Sequence, residues 1–70
     1  MKTDFIEVDP NKLGGTPVFA GTIVPVENLF DYLQGGDSLD DFLEGFPGVS
    51  LNQAIAALEA AKESLLNSVT

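Results

Sequence analysis

Hydrophobic positions recur with a helical period through the last two-thirds of the chain and fall in short, extended-looking runs before it. Val26, Leu29, Phe30 and Leu33 stand at i, i+3, i+4 and i+7, which gathers them on one face of a helix. Pro25 sits where a first helical turn tolerates proline, and Gly35-Gly36 supplies a glycine able to end the helix in a left-handed conformation. Leu39, Phe42, Leu43 and Phe46 repeat the spacing in a second helix. Asp37 or Ser38 is placed to cap it, Gly45 weakens its end, and Pro47-Gly48 stops it. A third helix opens at Ser50, with Gln53 three residues on, the two partners of a capping box. Its apolar face is expected to run through Leu51, Ala54, Ile55, Leu58, Ala61 and Leu65. Alanines at 54, 56, 57, 60 and 61 favour helix and let a neighbour approach closely. The tail after Leu66 is expected to fray.

Upstream the signals change. Phe5 to Val8 suits a short strand, broken by Asp9, Pro10 and Asn11, and Leu13-Gly14-Gly15-Thr16-Pro17 reads as a turn. Val18-Phe19-Ala20 and Thr22-Ile23-Val24 flank Gly21 as β-prone pieces, which suits a short extended arm or hairpin. The expected architecture is therefore a single, mainly α domain over residues 1–70. An extended arm or β-hairpin spans about 1–24, and helices span about 25–34, 38–46 and 51–67. Short links between the helices suit a three-helix, helix-turn-helix-like bundle.

Composition narrows what such a domain can do. Seventy residues support only a marginal core. With no cysteine there is no disulfide, and without cysteine or histidine no ordinary zinc site. A hydrophobic content of 44% exceeds what so small a body can bury, so part of it is expected at an interface. A homodimer or higher oligomer follows as an expectation, with Phe19, Ile23 and Leu66 as anchors because they lie off the three core stripes. The net charge is −8, from eleven acids against three lysines, and arginine is absent. That field repels polyanions and anionic membranes, so nucleic acid is not an expected partner of the chain alone. No apolar run approaches the roughly 20 residues that span a bilayer. The first residues also lack the basic start and apolar stretch of a secretory signal, so a cytoplasmic location is expected.

Candidate chemistry is sparse. Asp37, Asp40, Asp41 and Glu44 form an acidic cluster, but calcium loops place oxygens at alternate positions around a glycine, a spacing absent here. Acids in a first helical turn complement the helix dipole; they also offer a patch that steers a basic partner. Neither Gly14-Gly15 nor Gly35-Gly36 continues as a phosphate loop. Lacking histidine and cysteine, the chain has neither the commonest general base nor a thiol nucleophile, and no enzymatic activity or cofactor is expected. Helix-turn-helix DNA binding is the alternative. The exposed third-helix positions would be Asn52, Gln53, Ala56, Glu59, Ala60 and Glu63, with Lys62 the single cation. Asparagine and glutamine can read adenine, yet nothing would hold the phosphates. In the arm, Phe19 or Ile23 either anchors a partner or fills a core short of material.

One ordered set of signals is distinctive. It runs Gly14-Gly15-Thr16-Pro17-Val18, Gly21-Thr22, Pro25-Val26, Gly36-Asp37-Ser38, Phe46-Pro47, and then a capped, Ala-rich helix. Over roughly residues 9 to 61 the chain resembles the domain-of-unknown-function 433 family. That resemblance implies a small tri-helical domain. It also implies a binding role, because several members are regarded as VapB-like antitoxins paired with PIN-like nuclease toxins. Phe19, Ile23, Asp37, Asp40, Asp41 and Glu44 are the partner-binding residues expected under that role. The family commonly carries arginines flanking the Gly-Thr of the arm, where this sequence has Ala20 and Ile23, so no role of those arginines carries over. A separate N-terminal DNA-binding segment of longer antitoxins is likewise not discernible.

Overall fold

A computed structural model describes residues 5–68. In chain order it contains β1 (Ile6–Glu7), a 3-10 turn at Leu13–Gly15, β2 (Val18–Phe19), α1 (Glu27–Gln34), α2 (Leu39–Gly45) and α3 (Leu51–Ser68). A short antiparallel strand pair followed by three helices is the expected fold class, and its details follow from local chemistry.

β1 and β2 pair antiparallel, Ile6 opposite Phe19 and Glu7 opposite Val18. The segment joining them turns through consecutive left-handed residues, with φ of 49° at Leu13, 66° at Gly14 and 90° at Gly15. Only glycine takes this conformation freely, so the Gly-Gly pair is what lets the chain double back. The expected reversal around Gly21 is also present. Gly21 has φ 78°, and Val18 bridges Pro25 on the side of β2 away from β1. Phe19 N donates to Val24 O (3.0 Å) and Val26 N donates to Pro17 O (3.0 Å), which closes that second pairing. β2 thus lies between β1 and the isolated bridge to Pro25, with both of its residues buried.

Pro25 leads into α1, its carbonyl accepting from Asn28 N (3.1 Å). At the far end Gly36, φ 92°, reverses the chain. Asp37 N donates to Tyr32 O (2.9 Å) and Gly36 N donates to Leu33 O (3.2 Å), the paired bonds of a Schellman ending. α2 is capped by Ser38: its Oγ accepts from Asp41 N (3.1 Å) while Asp41 Oδ2 accepts from Ser38 N (3.1 Å). α3 opens on the same device, Ser50 Oγ accepting from Gln53 N (3.1 Å) and Gln53 Oε1 from Ser50 N (2.9 Å).

The core is built from Phe19, Leu29, Phe42, Val49, Ala54 and Ala57. Phe42 is its centre, with ring centroids 5.9 Å from Phe19, 5.5 Å from Tyr32 and 4.9 Å from Phe46. The second-helix stripe is as expected, Phe42 buried and Leu39, Leu43 and Phe46 half-buried. The third is not. α3 buries Ala54 and Ala57, with Leu58 half-buried, whereas Leu51, Ile55, Ala61 and Leu65 are exposed. Small side chains face the aromatic centre because they let the α3 backbone come close to it, and the larger residues are turned aside. From residue 59 to residue 68 every position of α3 is exposed, so this half of the helix projects beyond the core. Helical structure continues past Leu66, with Ser68 Oγ donating to Leu65 O (2.9 Å).

Candidate protein-interaction surface

α1 and α2 present acids to solvent and no bases. Glu27 and Asp31 lie one helical turn apart on α1, Asp37 follows its end, and Asp40, Asp41 and Glu44 belong to α2; all six are exposed. Between Lys12 and Lys62 the sequence holds no cation, so nothing in these helices neutralises the patch. Glu27 and Asp31 were not among the expected site residues. Their signal was available, since both lie outside the Val26-Leu29-Phe30-Leu33 stripe. Among the four that were expected, Asp41 is already engaged by the Ser38 cap, which leaves Asp37, Asp40 and Glu44 as the outward charges of that cluster.

The two arm residues part company. Phe19 has no exposed surface and stacks on Phe42, so it fills the core and cannot reach a partner. Ile23 is 70% exposed, the largest exposure among the exposed large hydrophobics. The turn carrying it is held from within. Thr22 N and Thr22 Oγ1 both donate to Phe19 O (3.0 and 2.7 Å), and Thr22 Oγ1 accepts from Val24 N (3.0 Å). Phe19 therefore lies inward, while Ile23, beyond the reversal at Gly21, points outward on a constrained loop.

Gln53, assigned from sequence to the exposed face of the third helix, has a different task. While its Oε1 caps the helix, its Nε2 donates to Ala20 O (3.0 Å) and at 3.5 Å to Phe5 O. One amide thus fastens both limbs of the arm to the start of α3. Nearby, Lys12 Nζ pairs with Glu7 at 3.2 Å, removing one of the few cations from the surface. Of the positions offered for DNA reading, Gln53 is spent on the fold, and Asn52, Glu59, Lys62 and Glu63 are exposed. Among the described residues no group of three or more acids gathers as a metal site, and no helix is long and apolar enough to cross a membrane.

Residues 6–60 match the family model described as Protein of unknown function (DUF433). No curated protein matches the chain. Among solved structures, it is similar to the crystal structure of a DUF433 member protein from Anabaena variabilis, at 25% identity and a TM-score of 0.78. That likeness covers 91% of this chain and 63% of the other, so this chain spans less than two-thirds of its neighbour's length.

Proposed function

From the premise that this chain belongs to the DUF433 family, we propose that it is a non-catalytic protein-interaction module of the antitoxin type, binding and restraining a PIN-like nuclease. The observation that supports this most is the segregation of its surface. Five exposed acids on α1 and α2, and Asp37 in the link between them, lie on a stretch of sequence without a cation, and the arm projects Ile23 from an internally bonded turn. A nuclease carries a basic surface to hold its polyanionic substrate, and an uncompensated acidic face is complementary to it. Ile23 is the apolar anchor of the contact, and the charges steer the approach. DNA binding by α3 is the weaker reading, because Gln53 is committed to the arm and Lys62 alone would face the phosphates.

Co-expression with the product of an adjacent gene, followed by purification through a tag on one chain, tests the proposal. Asp40→Lys with Glu44→Lys, which spares the Asp41 cap, is expected to slow association and flatten its salt dependence. Ile23→Ala is expected to speed dissociation instead. Failure of the two chains to co-purify at low salt would reject the nuclease partner.

A further inference from the structure

We draw no further inference here: the strongest candidate, the exposed apolar strip of α3 formed by Leu51, Ile55, Leu65 and Leu66, carries nothing because no feature of the structure shows what covers it.

Discussion

Replacing Gln53 with glutamate separates the two roles of this side chain, and sequence and structure predict opposite signs for the result. A capping box accepts glutamate as readily as glutamine, and a negative charge in the first turn gains about 0.3–1 kcal/mol from the helix dipole. By that reasoning Gln53→Glu is neutral or mildly stabilising. The structure adds the amide nitrogen, which donates to Ala20 O at 3.0 Å in a half-buried setting. Glutamate keeps the bond from Ser50 N but removes this donor and turns a carboxylate oxygen toward the carbonyl. Loss of the hydrogen bond and the oxygen left facing it cost about 1–3 kcal/mol. Set against the dipole gain, the net change is a destabilisation of about 1–2 kcal/mol. For a domain of this size each kcal/mol lowers Tm by about 4–8 °C. Thermal unfolding followed by circular dichroism should therefore show the variant melting well below the parent. Hydrogen exchange should be fastest to change at Ala20 N, whose bond to Phe5 O (2.9 Å) lies under the same clamp. A Gln53→Glu protein that melts at or above the parent temperature would refute the clamp.

Phe42→Ala removes the ring on which Phe19, Tyr32 and Phe46 converge, a loss of about 3–5 kcal/mol. This approaches the whole stability of so small a domain, and the variant should lack a cooperative melt. Leu13→Asn should raise the urea midpoint by up to about 1 kcal/mol equivalent. Asparagine adopts the left-handed φ of 49° more readily than leucine, whose half-exposed side chain gives up little packing. The chain alone should give no mobility shift at physiological salt with a fragment spanning its own promoter, and sub-micromolar binding would contradict the charge argument.

The elements most visible in the sequence are those held by local rules. Ser38 and Ser50 cap as their spacing predicts, and the Leu39-Phe42-Leu43-Phe46 stripe faces the core because its periodicity and its packing agree. Legibility fails where two hydrophobic choices compete. On α3 the leucines and isoleucine outweigh the alanines on any hydropathy scale. The aromatic centre nevertheless selects Ala54 and Ala57, because a close backbone approach buries more ring surface than a larger side chain held at a distance. Val49, within the five-residue link between α2 and α3, is 4% exposed, and no periodicity marks a loop residue as core. The amide of Gln53 reaches an arm residue 33 positions away. Its partner is set by tertiary geometry, to which a local cap motif is blind. For the acidic face the sequence supplied the charges, but only the Ser38–Asp41 pairing separates the acid that serves the fold from those left to solvent.

Pro25 has a consequence for how this protein avoids its own kind of failure. Exposed strand edges recruit other strands, since each offers a row of unused N–H and C=O groups. On the side of β2 away from β1, the neighbouring residue is Pro25, which has no N–H, and its carbonyl is taken by Asn28 N in the opening turn of α1. A further strand approaching there finds no donor at that position, and an acceptor already engaged by the helix start. Growth of the sheet into a fibril, or capture of an extended peptide as an added strand, is blocked at this edge by a single ring. Pro25→Ala would restore the missing donor with little change to the helix start. Accelerated thioflavin-positive aggregation of that variant would be the sign that the proline acts as a stopper.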